Sequence, residues 1–141
     1  MIGAAGTHGS SFPAHIDTFV DILDRSGYKV GYTGKGWAPG TWDQGGRTRN
    51  PAGDEYNEIL YDKKNIRKGL SNKNYAENFK HFITQKKHEQ PFLFWFGAHE
   101  AHLKYAEATY SDEERSKVTV PTFFPDTHIV RDTLLDYAYE I

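Results

Sequence analysis

Apolar and polar residues recur with two different periods along the chain, and the changes of period predict two helix-to-strand units. In the first unit, HIDTFVDILDRSG has the 3.6-residue spacing of an amphipathic helix. Asp17 or Thr18 is expected to cap this helix, and Gly27 to end it in the left-handed conformation. The segment YKVGYT then predicts a β-strand. The apolar face of the helix is formed by Phe19, Val20, Ile22 and Leu23.

The second unit repeats this order with longer elements. SNKNYAENFKHFITQKKHEQ predicts a helix whose N-terminus is capped by Ser71 or Asn72. The segment PFLFWFGA that follows is apolar without interruption, which is typical of a strand buried on both faces of a parallel sheet. The apolar face of the predicted helix is formed by Tyr75, Phe79, Phe82 and Ile83.

The rest of the chain has weaker periodicity. Residues 36–72 show no period and are rich in Gly, Asn, Asp and charge, which is typical of a functional loop or of one covered by a partner. SDEERSK predicts a charged, solvated region, and VTVPTFFPDT an extended segment. Asp126 is expected to cap a final helix. The apolar positions of this helix are Ile129, Val130, Leu134, Leu135 and Ala138.

Two helix-to-strand units with a buried strand predict an α/β layered fold, with a mostly parallel sheet flanked by helices. Ligands of such sheets bind beyond the carboxyl ends of the strands. Lys35 follows the first predicted strand, and the segment HEAH, His99 to His102, follows the second. We therefore expect these two segments at the same edge of the sheet.

Composition excludes several classes of function. The 141 residues suffice for one domain with its own core, and the net charge of −2 offers no basic face for nucleic acid. The chain has no cysteine, which excludes disulfides, thiol catalysis and Cys-ligated zinc. Its longest apolar run, PFLFWFGA, is too short to cross a bilayer, and the N-terminal residues do not form a secretory signal. Neither nucleic acid nor a membrane is expected as a partner.

The glycine-rich segment GYTGKGWAPG has the most unusual composition in the chain. It is not a P-loop, because two rather than four residues separate the first two glycines, and glycine follows the lysine. Lys35 is then either a surface lysine in a turn or a cation that meets an anionic ligand close to the backbone. Trp37 and Trp42 lie in the same loop, where an aromatic ring beside a cation suits a sugar.

Other polar segments have a structural interpretation beside a functional one. The two histidines of HEAH are three residues apart and follow a strand, which excludes the helical metalloprotease motif. They are either hydrogen-bonded structural residues or ligands. The acidic residues Asp54, Glu55 and Glu58 are expected to be solvated. KKNIRKG is expected to be a solvated basic stretch, with attraction of a polyanionic substrate as the alternative.

Three segments together, GYKVGYTGKGWAPG, PFLFWFGAHEAHLKY and VPTFFPDTHIVRDTLLDYAYEI, resemble the type I sulfatases of the alkaline phosphatase superfamily. The branch they are most similar to is that of the bacterial heparan N-sulfatase (sulfamidase)-like enzymes. The segments GGRTRNPAGDEYN and LSNKNYAENF also fit that branch. The resemblance covers nearly the whole chain and implies a partial alkaline-phosphatase-like fold.

The resemblance also implies roles for individual residues. Lys35 matches the strand-end lysine that binds the substrate sulfate, and His102 matches a histidine that contacts the same group. His99 is its neighbour and a candidate substrate-binding residue. Trp37 stands where the family often has a second active-site histidine, so that function is absent or supplied elsewhere, and Trp37 is a candidate for binding the sugar. The implied substrate is a sulfated glycosaminoglycan sugar.

Two features of the family are missing from this sequence. The formylglycine nucleophile is made from a Cys/Ser-x-Pro-x-Arg motif, and neither that motif nor the family's Ca²⁺ ligands occur here. Residues 1–141 are therefore expected to be an internal fragment of a sulfatase N-terminal catalytic domain, truncated at both ends, that holds neither Ca²⁺ nor formylglycine and is inactive alone. The parent enzyme is expected to be periplasmic or secreted.

Two alternatives remain open. The first is a fragment of a phosphodiesterase or phosphonate hydrolase of the same superfamily, which shares the sheet. The second is a small, non-enzymatic module that binds anions or glycans.

Overall fold

The computed structural model describes residues 7–38, 40–67, 69–102, 104–105 and 107–141. They form two compact units: the residues up to Tyr61 with Lys73–Ala98, and Asp62–Asn72 with His99–Ile141. Two short 3₁₀ helices span Asp43–Gly45 and Lys63–Asn65. The other elements are α1 Phe19–Arg25, β1 Lys29–Gly34, β2 Asp54–Glu55, α2 Tyr75–Thr84, β3 Phe92–Gly97, α3 Asp112–Ser116 and α4 His128–Tyr139.

The first unit contains a parallel three-stranded sheet in the order β2-β1-β3. β1 pairs with β3 along its whole length, from Lys29 opposite Phe92 to Gly34 opposite Gly97. β2 adds two residues on the other side of β1, and this pairing within the irregular region was not predicted. The parallel sheet and its flanking helices confirm the predicted α/β class.

Helix α1 begins and ends as its sequence predicts. Thr18 is the N-cap, and it forms a capping box with Asp21. Gly27 has a φ of 88°, and the amide of Tyr28 donates to the Leu23 carbonyl, as in a Schellman ending. The turn therefore directs the chain straight into β1.

The helices α1 and α2 cover opposite faces of the sheet. On one face, the ring of Phe82 in α2 lies 4.7 Å from that of Phe94 in β3. On the other face, Phe19 of α1 lies 6.4 Å from Trp95, the next residue of β3. Since adjacent residues of a strand point to opposite faces, the sheet forms the middle layer of the unit. Its buried apolar side chains are Phe12, Val20, Val30, Tyr32, Ala52, Tyr56 and Phe82.

The prediction that PFLFWFGA is buried on both faces is wrong for this structure. β3 is an edge strand of the described sheet, and Phe96 remains 61% exposed. The reason is geometric: α1 and α2 both pack against the central strand β1, which leaves the outer strand half covered. The uninterrupted apolar run predicted the strand but not its position in the sheet.

An ion pair and hydrogen bonds to backbone carbonyls join α4 to α3 and the residues after it in the second unit. Arg115 of α3 makes two hydrogen bonds to the Asp132 carboxylate of α4, at 2.6 and 3.0 Å. Arg131 donates to the carbonyl oxygens of Arg115 and Val118. The segment SDEERSK, expected to be only a charged solvated region, contains α3 because Ser111 and Glu114 form a capping box at its start.

Three details of the later helices differ from the prediction. The N-cap of α2 is Asn74 rather than Ser71 or Asn72, and that of α4 is Thr127 rather than Asp126. Asp126 instead accepts two hydrogen bonds from Arg131. The buried residue of α4 is Asp136, whereas the apolar Ile129 is 78% exposed.

In the part of the chain that the structure describes, no helix is long and apolar enough to span a membrane.

Candidate functional site

Lys35 stands directly beyond the end of β1, where its backbone is fixed by the neighbouring strand. The Lys35 amide donates a 2.6 Å hydrogen bond to the Gly97 carbonyl at the end of β3. The strand ends Gly34 and Gly97 lie opposite each other in the sheet register. The parallel ladder therefore extends to Lys35 and holds the root of its side chain at the carboxyl edge of the sheet.

Glycines at the two strand ends permit this close approach. Gly34 has a φ of 78°, and a Cβ there would overlap the Gly97 carbonyl oxygen. A Cβ on Gly97 would overlap the Lys35 carbonyl oxygen. The sequence interpretation assigned the flanking glycines to the approach of an anionic ligand. The packing supplies a different reason for Gly34, which is contact between two backbones.

The side chain of Asn57 holds the same strand end from the other side. Its Oδ1 accepts hydrogen bonds from the Gly34 amide at 2.7 Å and from the Thr33 hydroxyl at 3.1 Å. Its Nδ2 donates to the Gly34 carbonyl at 3.0 Å and to Glu55 Oε1 at 2.7 Å. Sequence reasoning missed Asn57, although its place in the GGRTRNPAGDEYN segment was a signal.

A second amide, Asn50, fixes the loop that follows Lys35. Its buried Oδ1 accepts the amides of Trp37 and Ala52, each at 2.9 Å. A Cβ on Gly36 would lie 2.7 Å from the Asn50 amide group, so glycine is required there as well. The residues on both sides of Lys35 are thus held by asparagine side chains.

The ammonium group of Lys35 has no hydrogen-bond or ion-pair partner among the described residues, and its side chain is half-buried. Nearby cations of the same unit differ. Arg47 pairs with Asp21 at 2.7 Å, and Arg49 pairs with Asp24 at 2.9 Å. Lys35 is therefore a cation on a rigid backbone that remains able to bind an anion.

Trp37 belongs to an aromatic cluster in the first unit. Its ring meets that of Phe12 edge to face, with centroids 5.4 Å apart. It also lines a cavity of about 390 Å³ together with Phe19, Trp95 and Asp17. An aromatic wall with a carboxylate at its rim suits a sugar ring, and the role of Trp37 in substrate binding stays a prediction.

The two histidines of HEAH lie in the second unit. His102 is exposed and His99 is half-buried. Between them, the Glu100 carboxylate accepts the Ser71 amide at 2.7 Å, and the Glu100–Ala101 peptide bond is cis. Since Lys35 belongs to the first unit, its expected convergence with His102 on one anion stays a prediction.

Asp21 is the centre of a structural ion network rather than a candidate catalytic carboxylate. The hydrogen bond from Arg47, followed by the contacts from Thr18, holds the pKa of Asp21 well below its usual range despite partial burial. The Arg47 guanidinium also lies 5.0 Å from the centre of the Phe12 ring. The arginines of GGRTRN thus fasten α1 to the loop that contains Asn50.

No group of three or more His, Asp or Glu side chains within the described ranges is placed to hold a metal ion. The residues of this part of the chain therefore do not fit the Ca²⁺ site that the family resemblance implies for the parent enzyme. No step of the chemistry is assigned to Ca²⁺ in this chain.

The family model for sulfatases matches residues 3–130. This range includes the whole sheet, Lys35 and the HEAH segment. No curated protein and no solved structure gave a significant match. The three-stranded parallel sheet with flanking helices is consistent with part of an alkaline-phosphatase-like fold. Because the family model covers most of its length, the chain belongs to the sulfatase family of hydrolases.

Proposed function

We propose that this chain forms the sulfate-binding part of a sulfatase that hydrolyses O-sulfate or N-sulfate groups of glycosaminoglycan sugars. The sulfamidase-like branch is the proposed specificity, on the strength of the sequence blocks around Lys35 and His102. In the complete reaction, water cleaves the sulfur–oxygen or sulfur–nitrogen bond and releases sulfate with the sugar alcohol or amine.

The observation that carries the proposal is the held backbone and the available ammonium group of Lys35 in a member of the sulfatase family. Its backbone is held by β3, and its ammonium has no partner in the described part of the chain. An ammonium about 4 Å from a sulfate oxygen contributes on the order of 4 kcal/mol at an effective dielectric constant near 20. The fixed backbone favours binding, because little backbone ordering is needed when the substrate binds.

His102 is proposed to act on the same sulfate group, as the family resemblance implies. Its imidazole is exposed, so substrate has access to it. A histidine near the leaving group can donate the proton that the departing sugar oxygen or nitrogen requires. His99 and Trp37 are proposed to contact the sugar.

The isolated chain is proposed to bind sulfated sugars without turning them over. Its sequence has no cysteine and no Ser-x-Pro-x-Arg segment from which formylglycine is made. A parent enzyme with formylglycine and Ca²⁺, exported to the periplasm or secreted, would supply the nucleophile.

Calorimetric titration of the chain with N-sulfoglucosamine and with glucosamine tests the sulfate-binding role. We expect Lys35→Gln to weaken binding of the sulfated sugar about tenfold to a hundredfold, since bonds to charged groups contribute about 1.5–3 kcal/mol. Lys80→Gln is the matched control, because Lys80 is an exposed lysine of the same unit that pairs with Glu77. Equal binding of the two sugars by the wild-type chain would contradict the proposal.

Two further measurements separate the alternatives. Sulfate release by the isolated chain above the level of Lys35→Gln would overturn the proposed lack of turnover. Tighter binding of glucosamine phosphate esters than of sulfated glucosamine would favour the phosphodiesterase or phosphonate hydrolase branch.

A further inference from the structure

We propose that a basic loop, formed by residues 63–67 and 69–72, is a second anion-binding subsite, which takes a further sulfate or carboxylate group of a polyanionic sugar chain. This inference rests on the proposed function, because it extends the substrate from one sulfated sugar to an oligosaccharide. It concerns the second unit alone.

The loop surrounds a cavity of about 400 Å³. Lys63 and Arg67 supply cations to its lining, Ser71 and Asn72 supply polar groups, and the remaining side chains are aliphatic. Such a lining suits a pyranose ring that carries an anionic substituent, because the ring offers C–H faces and the substituent accepts hydrogen bonds.

The loop contributes two of the second unit's described cations that lack a carboxylate partner, and Lys104, an exposed lysine outside the loop, is a third. Within its described residues, Arg67, Arg115, Lys117 and Arg131 all pair with carboxylates. Lys63 and Lys64 of the loop have no such partner among the residues described. Two carboxylates that contact the loop accept backbone amides: Asp62 accepts that of Lys64, and Glu100 accepts that of Ser71. The loop therefore retains two lysine ammonium groups for an external anion.

Arg67 gives the subsite a fixed wall. Its Nη2 donates to the buried Asp136 at 3.1 Å, and its guanidinium lies 4.0 Å from the centre of the Tyr139 ring. A planar guanidinium held on both sides loses little freedom when an anion approaches. Arg67 is thus held by contacts within the unit, whereas Lys63 and Lys64 of the 3₁₀ turn are exposed.

The loop is linked to the predicted catalytic segment. Ser71, which lines the cavity, donates its amide to Glu100, two residues before His102. A sugar chain with one sulfate at His102 would therefore have its neighbouring residues beside the loop. A monosulfated monosaccharide has no second anion to place there.

Titration of the whole chain with a heparin tetrasaccharide and with N-sulfoglucosamine tests the subsite. We expect the double variant Lys63→Gln, Lys64→Gln to weaken tetrasaccharide binding about threefold to tenfold, since it removes two exposed ion pairs with the sugar chain. Binding of the monosaccharide should not change. The control is Lys80→Gln, Lys117→Gln, which removes two exposed, paired lysines and should change tetrasaccharide binding less than twofold.

The outcomes separate the subsite from the proposed function. If the loop variant binds the tetrasaccharide as tightly as the wild type, the subsite is wrong, whatever Lys35→Gln does. The same holds if the loop variant loses no more tetrasaccharide affinity than the control variant. If the loop variant weakens tetrasaccharide binding while Lys35→Gln leaves N-sulfoglucosamine binding unchanged, the subsite is supported and the sulfate-binding role of Lys35 fails.

Discussion

The side chain of Asn57 hydrogen-bonds to both backbone polar groups of Gly34, accepting from its amide at 2.7 Å and donating to its carbonyl at 3.0 Å. β2 pairs with β1 only at Gly31 and Tyr32, so among the described residues no strand pairs with the last residues of β1 on that side. Asn57 takes the place of the missing strand. The residue before Lys35 is thereby bonded on both edges, by Asn57 and by β3.

We expect Asn57→Ala to lower the free energy of unfolding by about 1–3 kcal/mol, because it leaves partly buried backbone groups of Gly34 without partners. Urea unfolding would measure this loss. The same variant should weaken binding of N-sulfoglucosamine, since the backbone beside Lys35 loses a constraint. Asn65→Ala, at an exposed position of the second unit, is the control and should change neither quantity.

The contact between strand ends predicts a severe effect of Gly34→Ala. The new methyl group would overlap the Gly97 carbonyl, and alanine would also occupy a left-handed backbone conformation. We expect a loss of about 3 kcal/mol or more in unfolding free energy. Gly27→Ala separates the two causes, because Gly27 has a φ of 88° with nothing within 4 Å of the new Cβ. It should cost only about 1 kcal/mol. Equal losses would contradict the close approach.

The ion pair of Asp21 with Arg47 predicts a strongly destabilising Asp21→Asn substitution. The Arg47 side chain is only 8% exposed, so removing its charged partner leaves a cation in a poorly hydrated place. We expect a loss of about 3 kcal/mol. Asp17→Asn is the control, because the pair of Asp17 with Arg25 is largely exposed and should contribute little to stability. Thermal unfolding of the wild type, Asp21→Asn and Asp17→Asn would show the order of their stabilities.

The same pair predicts a pH dependence of stability. Because Arg47 lowers the pKa of folded Asp21, the carboxylate stabilises the fold at pH values above its unfolded pKa of about 3.9. This contribution is lost as the pH falls through the lower folded pKa. Urea unfolding of the wild type from pH 7 downward should therefore show a decline below about pH 4. In Asp21→Asn, the decline should be smaller. Identical pH profiles would contradict the assignment.

The second unit depends on the buried carboxylate of Asp136. Its Oδ1 accepts hydrogen bonds from Arg67, from the Tyr110 hydroxyl and from the Ala108 amide. We expect Asp136→Ala to lower the unfolding free energy by about 2–4 kcal/mol and to disorder residues 107–110. Hydrogen exchange of the Ala108 amide would report this directly. Asp112→Ala is the control, because that carboxylate is 89% exposed and its loss should have little effect.

The accuracy of the sequence predictions differed between local and distant interactions. The N-terminus of α1 was predicted because Thr18 and Asp21 are three residues apart, and its end because Gly27 follows directly. The buried residue of α4 was not predicted. Asp136 is buried because its partners Arg67 and Tyr110 come from other segments, and helical periodicity cannot indicate them.

The candidate site shows the same difference between local features, which were predicted, and distant contacts, which were not. The position of Lys35 after a strand was readable from YTGKG, because the change from strand-forming residues to glycine is a local signal. Asn50 and Asn57 lie 13 and 23 residues along the chain from Trp37 and Gly34, whose backbone amides they bind. An asparagine in a glycine-rich loop does not by itself indicate such a contact.

The α/β class, the approximate positions of the longer helices and the two main strands, and the family to which the chain belongs could all be predicted from the sequence. Those features depend on spacing, capping residues and short motifs, which act over a few neighbouring residues. The packed structure was needed to show that β3 lies at the edge of the described sheet and that Gly34 serves contact between two backbones. It also decided that a buried carboxylate rather than an apolar face anchors α4. Each of these depends on which distant groups meet, because burial and hydrogen bonding are properties of the packed chain.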